Sequence, residues 1–502
     1  MIDLLDITAK RAALTPDAVA FEDLATGEHA TYRELDERAA RAAGLLAARA
    51  VQPGDRIAVL CRNRIAFFEL LFACGKLGTL LVPLNWRMPA AELSALVDDS
   101  QPRLLLHGRE DAETAAELAR CGLERIDLDA PGSTGYVALR DASPAQTGRP
   151  CWPADQAWYL LYTSGTTGKP KAVIQTYGMA LANYVNIGRA IDLRNGDTTV
   201  NFLPLFHTAG INLHTLPVLL AGGRVLVMPG FDVDRMMRLL AAGDVDLFFG
   251  VPAVYRQMSL HPAFETTDFA RVRHWGCGGA PLTDALVAQF ERRGVTVCNG
   301  MGMTETGPTV FLADAAAARA KPGTVGRPQL LAAARIVDAD GHDVPAGATG
   351  ELWLTGAGIT PGYWSRPEAT RAAFTDDGWL RTGDLARCDG DGDFFIVGRL
   401  KDMFISGGEN VYPAEIENVL VDHPDVLEAA VVGVPDSRWG EVGRAYVLAR
   451  PGTTLDATVL TAFVRARVAP YKVPKTFVIV QDFPRTAAGK IQKHLLERNG
   501  LR

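Results

Sequence analysis

The sequence is short of everything that would tie it to a bilayer, a nucleic acid or an oxidising compartment. No uninterrupted apolar run reaches the roughly 20 residues that cross a membrane. The opening MIDLLDITAKRAAL has no basic segment followed by an apolar one, as a secretory signal requires. Positive charge is in deficit: 51 Lys and Arg against 58 Asp and Glu leave a formal charge of −7. That balance excludes general binding to nucleic acid or anionic lipid, although a local basic patch remains open. Cysteine is sparse and scattered, at Cys61, Cys74, Cys121, Cys151, Cys277, Cys298 and Cys388, with no C-x-x-C pair. Neither a zinc ribbon nor a disulfide framework is indicated, and reduced thiols in a cytoplasmic enzyme are expected.

What is present is apolar mass. Hydrophobic residues make up 48% and charged residues 22% of 502 residues, enough for large cores but too much chain for one. About two to four domains are expected. From about Arg56 short apolar runs such as RIAVLC, GTLLVPL and RLLLH alternate with helical stretches near 64–76 and 90–98. The alternation resumes with TTVNFLPL, GGRVLVM, DVDLFFGV, RVRHWGCGG and VTVCNGMG, each but the last followed by a helix. This predicts an α/β fold whose parallel sheets carry helices on both faces, with ligands beyond the carboxyl ends of the strands. After about Lys321 short strands and turns (GELWLTG, GWLRTGDLA, DGDFFIVG) predict a small β-rich subdomain. From about Leu400 roughly 100 residues of mixed helix and strand predict a further α+β domain. The stretch 130–155 reads as a loop, and no internal repeat is present.

The most specific local signal is Tyr162-Thr163-Ser164-Gly165-Thr166-Thr167-Gly168-Lys169-Pro170-Lys171, directly after AWYLL. Small hydroxyl residues between glycines let N–H and O–H groups converge on an anion, and the lysines add charge for a polyphosphate. Pro170 after the lysine and the glycine spacing exclude a Walker A loop. A flexible surface loop is the plainer alternative. The second signal is Asn299-Gly300-Met301-Gly302-Met303-Thr304-Glu305-Thr306, where a carboxylate behind a Gly-rich turn suits Mg²⁺. Taken alone, Glu305 is more simply a helix cap. In Arg381-Thr382-Gly383-Asp384-Leu385 the aspartate suits a ribose, or equally its own turn. The fourth segment runs Gly398-Arg399-Leu400-Lys401-Asp402 and then Ile405 to Asn410. The fifth is Pro484-Arg485-Thr486-Ala487-Ala488-Gly489-Lys490.

In this order the five segments resemble the adenylate-forming superfamily of acyl-CoA and aryl-CoA ligases, luciferases and peptide-synthetase adenylation domains. The resemblance runs from about residue 10 to 495. It implies a large N-terminal domain (1–399, with its β-rich part at about 321–399) and a small mobile C-terminal domain (400–502). It also implies two half-reactions. A carboxylate attacks the α-phosphate of ATP and releases pyrophosphate, then a thiol, usually that of CoA, displaces AMP. Consistently, no Gly-x-Ser-x-Gly elbow occurs.

By the same resemblance Thr163, Ser164, Gly165, Thr166, Thr167 and Lys171 would hold the phosphates. Glu305, with Thr166, would hold Mg²⁺, and Thr304 would stand near the α-phosphate. Gly279, Ala280 and Pro281 and the turn Asn299, Gly300, Met301, Gly302 would flank adenine. Asp384 and Arg399 would bind ribose, with Ile396 also on the nucleotide. Lys490 would bridge the carboxylate and α-phosphate where charge builds up. Lys401 occupies the family's hinge position, about which the C-terminal domain is expected to rotate. Gly408, Trp439, Tyr471 and Lys475 would meet CoA; for the two aromatics, packing on their own domain is an equal alternative.

Two positions depart from the family pattern. Ala172 replaces a glycine after the phosphate loop, which is harmless only if its φ is negative. Met301 replaces an aromatic that stacks on adenine, though a thioether can still meet an aromatic face.

The acid pocket is expected near Phe206 to Gly210, Gly250 to Pro252, Trp275 to Gly278 and Met303, with His207 as its gate. A core or capping histidine is the alternative at His207. Small Ala209, Gly210 and Gly276 leave room for a ring or a modest chain, and these segments carry no Lys or Arg. The whole chain looks most like bacterial acyl-CoA synthetases, feruloyl-CoA synthetases among them. An aromatic acid such as ferulate is the preferred substrate. A medium-chain fatty acid, or a stand-alone adenylation enzyme loading a carrier protein, is the alternative. Expected partners are the acid, ATP and CoA, with no nucleic acid or membrane insertion, in a monomer or homodimer. The acidic run Asp389-Gly390-Asp391-Gly392-Asp393 imitates a Ca²⁺ loop, but Phe394 and Leu400 stand where glycine and glutamate are needed, so a hairpin turn is expected.

Overall fold

Leu, Val and Ile dominate the central strands of the first sheet, and both faces of these are covered. In the strand Leu104–His107 every residue is buried. Such continuous apolar runs suit parallel sheets sandwiched by helices. The computed structural model describes residues 3–119, 122–163, 170–279, 282–485 and 491–498. Its first sheet has six strands in the order Lys171–Thr176, Ala157–Thr163, Leu80–Pro83, Arg56–Leu60, Leu104–His107, Glu124–Asp127. All neighbours are parallel except the edge hairpin, where Lys171–Thr176 returns antiparallel to Ala157–Thr163.

The second sheet has nine strands. Its centre runs Val297–Met301, His274–Cys277, Leu247–Gly250, Thr198–Asn201, Arg224–Val227 and Val19–Asp23, all parallel. Four adjacent strands therefore end together, at Asn201, Gly250, Cys277 and Met301. The loops that follow them carry His207, Val251, Gly278 and Met303. This is the crevice where open α/β sheets hold ligands.

Local signals set the helices. Tyr32–Ala47 starts in a capping box: Glu34 N–H donates to Thr31 Oγ1 at 3.2 Å and Thr31 N–H to Glu34 Oε2 at 2.8 Å. Ile65–Leu77 is buried almost all round and stops at Gly78, whose φ of +76° a side chain would resist.

One expectation fails here. The stretch 130–155 is not a bare loop: it holds the helix Tyr136–Ala142 and a short strand, Cys151–Trp152, paired with Leu4–Leu5. The cause lies far along the chain. Glu69, 1% exposed, accepts a hydrogen bond from Tyr136 Oη at 2.8 Å and two from Arg140 Nη1 at 2.8 and 3.0 Å. A carboxylate buried in one helix thus selects the helix that covers it.

A four-stranded antiparallel sheet follows (Ala332–Val337, Thr349–Gly356, Leu380–Cys388, Phe394–Arg399). The last sheet orders Glu409–Val411, Phe404–Ser406, Gly440–Ala449 and Val426–Asp436, and Thr476–Val480 adds in parallel to Gly440–Ala449. Helices Pro413–Val421 and Ala457–Arg465 pack their buried Ile416, Leu420, Leu460 and Val464 into its core. No helix among the described residues is long and apolar enough to cross a membrane.

Candidate active site

The phosphate-loop hairpin is closed by its own register. Thr163 pairs with Lys171, and Thr163 Oγ1 donates to Lys171 O at 3.4 Å. The tip that carries Ser164, Gly165, Thr166 and Thr167 lies outside the described residues. Ala172 is fully buried in the strand and pairs with Tyr162. It is not among the non-glycine residues of positive φ, so the methyl group replaces glycine without backbone strain.

The outer edge of this hairpin is held by 360–364. Ile174 N–H donates to Gly362 O at 3.1 Å and Trp364 N–H to Ala172 O at 2.8 Å. Tyr363, between them, links the two motifs. Its ring lies 5.1 Å from Lys171 Nζ, and its hydroxyl donates to Glu305 Oε1 at 3.0 Å. Motif reading missed Tyr363, because its only trace is a lone Gly-Tyr-Trp between strands. Glu305 sits in a single 3₁₀ turn, Thr304–Thr306, and is 7% exposed. Burial pushes its carboxyl up; its own N–H, the Tyr363 hydroxyl and the Arg399 charge pull the other way. The capping alternative fails, since the Glu305 side chain is turned to Tyr363 rather than to a following helix. Gln175 Nε2 donates to Thr304 O at 2.8 Å and ties this turn to the phosphate-loop strand. The glycine before it is required for space: a Cβ on Gly302 would come within 1.4 Å of Pro308 O.

Asp384 and Arg399 are register partners on adjacent strands, and Arg399 Nε lies 3.1 Å from Asp384 Oδ1. Asp384 is 8% exposed. Both charges act on the Glu305 carboxyl, Arg399 lowering and Asp384 raising its pKa. Ile396, on the same strand as Arg399, pairs with Ala386. Asn299 and Gly300 are half-buried at the end of their strand, and Gly279 takes a φ of +83°. Ala280 and Pro281 lie outside the described residues. Met301 is 9% exposed and packs with Val310 and Phe311, so most of its thioether belongs to the core beneath the turn.

His207 follows Phe206, with ring centroids 4.6 Å apart. Behind it the chain makes a π-helical turn, Ala209–Leu213, an irregularity that often accompanies function. Phe249 lies against the glycines of the neighbouring strand: a Cβ would meet its ring at 2.6 Å on Gly276 and 3.0 Å on Gly278. One cation reaches this region from the first sheet: Arg87 stacks at 4.4 Å on Trp86 and 5.7 Å from the Phe206 ring. Cys277 is fully buried and its thiol is pushed far up by burial, which rules it out as a nucleophile.

Lys401 is exposed in the 3₁₀ turn Leu400–Asp402 that follows the last strand of the small sheet. In the C-terminal unit Gly407 N–H donates to Trp439 O at 2.8 Å, and the Trp439 ring covers Gly407. Lys475 Nζ stands 5.8 Å from that ring, and exposed Gly408 is next to it in the chain. Gly408, Trp439 and Lys475 are thus gathered, whereas Tyr471 packs on the core of its own unit. Lys490 lies outside the described residues. Its loop also has a closed stem: Arg485 pairs antiparallel with Ile491, and Gln492 N–H donates to Pro484 O at 2.8 Å.

The acidic run 389–393 is a hairpin turn, as expected, and its centre holds a side chain. Lys321 Nζ sits 2.7, 2.8 and 2.6 Å from carboxylate oxygens of Asp389, Asp391 and Asp393. Spacing gave no hint of this lysine, which is 68 residues away from Asp389.

Known proteins share this arrangement. The family described as AMP-binding enzyme matches residues 8–364, and AMP-binding enzyme C-terminal domain matches 415–490. A feruloyl-CoA synthase from an Amycolatopsis species is 41% identical over 491 residues, 97% of each chain. An indoleacetate–CoA ligase from Aromatoleum aromaticum is 39% identical over 468 residues, 92% of each. The solved structure of ATP-bound MatB from Rhodopseudomonas palustris superposes with a TM-score of 0.91 at 31% identity, covering 99% of both chains. The chain belongs to the AMP-binding enzymes, the adenylate-forming family, and is an AMP-forming acid–thiol ligase.

Proposed function

We propose that this ligase joins an aromatic acid, a hydroxycinnamate such as ferulate, to coenzyme A through an acyl-adenylate. The observation that carries the acid class is Phe249: its ring fills the space that side chains on Gly276 and Gly278 would take, and gives that side of the expected acid pocket an aromatic wall. Such a wall suits a flat ring, with offset or edge-on contact. The 41% identity to a feruloyl-CoA synthase supports the same reading.

In the first half-reaction an oxygen of the substrate carboxylate attacks the α-phosphorus of ATP, and the bond to pyrophosphate breaks. Ser164, Gly165, Thr166 and Thr167 would bind the phosphates together with Thr163 and Lys171, and Asp384 and Arg399 the ribose. The Glu305 carboxylate, with the Thr166 hydroxyl, offers the hard oxygen donors that Mg²⁺ takes, and the ion would neutralise phosphate charge there. In the second half-reaction the CoA sulfur attacks the acyl carbonyl and AMP leaves. Gly408, Trp439 and Lys475 form the surface offered to CoA, and Tyr471 packs on the core of the same unit.

The test is pyrophosphate release with ferulate, p-coumarate, cinnamate, benzoate, hexanoate, octanoate, palmitate and malonate, with and without CoA. Hydroxycinnamates are expected to give the highest rates, with sustained turnover only when CoA is present. A win for octanoate would overturn the aromatic reading. Adenylate formation without any CoA turnover would move the enzyme to the carrier-protein class.

Lys401 gives a separable prediction. Proline there fixes φ and removes an N–H at the turn about which the C-terminal unit would rotate. Lys401→Pro is expected to keep pyrophosphate release within about threefold and to lower thioester formation about 100-fold. Unchanged thioester formation in a stopped assay with preformed adenylate would refute the hinge.

A further inference from the structure

Among the described residues, three nitrogens on two buried imidazoles have no hydrogen-bond partner: Nδ1 and Nε2 of His214 and Nε2 of His274. His214 is 5% exposed and His274 9%, and their ring centroids are 6.3 Å apart. Both lie close to Phe249 or to the glycines its ring covers. The Phe249 ring stands edge-on to His214 at 5.8 Å, and a Cβ on Gly276 would lie 3.1 Å from His274 Nε2. Beside His214, Phe249 and Ala209 is a cavity of about 10 Å³, room for a single atom of water size.

Its other polar neighbours are engaged. Thr199 Oγ1 donates to Leu247 O at 3.0 Å, and Thr215 Oγ1 accepts from Asn201 Nδ2 at 2.8 Å. The cavity is lined by Thr199, Val200 and Asn201 of the strand Thr198–Asn201 and by Ala209 and Leu213 of the π-helical turn that follows His207.

Buried polar side chains nearly always find a partner. The two unmet nitrogens of His214 on this cavity, with the unmet Nε2 of His274 close by, point to a partner that arrives with the substrate. We propose that His214 and His274 form a subsite for a hydroxyl at the end of the acid remote from its carboxylate; this rests on the aromatic-acid reading above. A neutral imidazole offers one N–H and one lone pair, so two rings can donate to a hydroxyl and accept from it. An alkyl chain meets neither need, and a second carboxylate can only accept. Burial holds both rings neutral, taking His214 down to about 3, with the neighbouring His274 as a smaller cause, and His274 to about 4. The pair therefore selects a phenol over a dicarboxylate and over an unsubstituted ring.

The experiment compares kcat/KM for ferulate, p-coumarate and cinnamate in the full-length enzyme, His214→Leu and His274→Leu, by pyrophosphate release. The wild type is expected to prefer p-coumarate to cinnamate by about 100-fold or more, since sites built around a hydroxyl reject analogues lacking it strongly. Either variant should cut that ratio to about fivefold or less. A variant that loses both acids equally and keeps the ratio would show a structural role and overturn the subsite. If His214→Leu does not fold, His214→Gln, which retains a donor and an acceptor, should keep most of the ratio; its collapse there would count against the proposal. A wild type that handles p-coumarate and cinnamate alike would sink the subsite and leave the aromatic reading standing. A wild type inactive on all three would remove that reading first and the subsite with it.

Discussion

Lys490→Ala should lower pyrophosphate release about 10³-fold while leaving thioester formation from a supplied acyl-adenylate within about threefold. The first transition state gathers negative charge on the attacking carboxylate and the α-phosphate, and a single ammonium between them lowers its energy more than that of the separated ground state. Once the adenylate exists that charge has left with pyrophosphate, and the lysine has no further task. On either side of that lysine's segment, Arg485 pairs with Ile491 and Gln492 N–H donates to Pro484 O. The measurement is a pair of assays on one preparation, one starting from acid and ATP, the other from adenylate and CoA. Equal loss in both would remove Lys490 from the first step.

Glu305→Gln should be nearly as damaging, at about 100-fold in pyrophosphate release, and its signature is metal dependence. Glutamine keeps the shape and can still accept from Tyr363, so packing is spared and only the charge is lost. A neutral amide binds Mg²⁺ poorly, and the Mg²⁺ concentration for half-maximal rate should rise at least tenfold, or about 1.4 kcal/mol. An unchanged Mg²⁺ titration would show that Glu305 is a scaffold for Tyr363 and nothing more. Because burial raises the Glu305 carboxyl, the wild type should also lose Mg²⁺ affinity on acidification earlier than an exposed glutamate would. The sign follows from the charge: protonation removes the ligand, so affinity is full above the raised pKa and falls below it.

Much of this architecture was legible in the chain. The strands were readable because buried parallel strands are unbroken apolar runs, as in Leu104–His107. The motifs were readable because anion loops need glycine and small hydroxyls close together in sequence. What could not be read was contact between distant residues. Tyr363 reaches Glu305 across 58 positions, and Lys321 reaches Asp389 across 68. The helix Tyr136–Ala142 was hidden in a Gly-, Ser- and Pro-rich stretch because its reason to form is Glu69, on another helix. His214 and His274 gave no signal either, since an isolated histidine in an apolar run looks the same whether or not its nitrogens are met. Met301 shows the opposite case: its place in the Gly-rich motif before Thr304 was clear, but that its side chain packs largely into the core was not.

The lysine inside the acidic turn has a practical consequence. A divalent ion in such a ring could be stripped by a chelator, and the corner of the β-rich sheet would loosen with it. Here the counter-ion is tethered to the backbone at position 321, and Asp389 is held down to about 2 by it. EDTA should therefore silence the enzyme by withdrawing catalytic Mg²⁺ while leaving this corner, and its protease resistance, untouched. Inhibition by chelation and unfolding by chelation are separable in this protein because one of its cation sites carries its own cation.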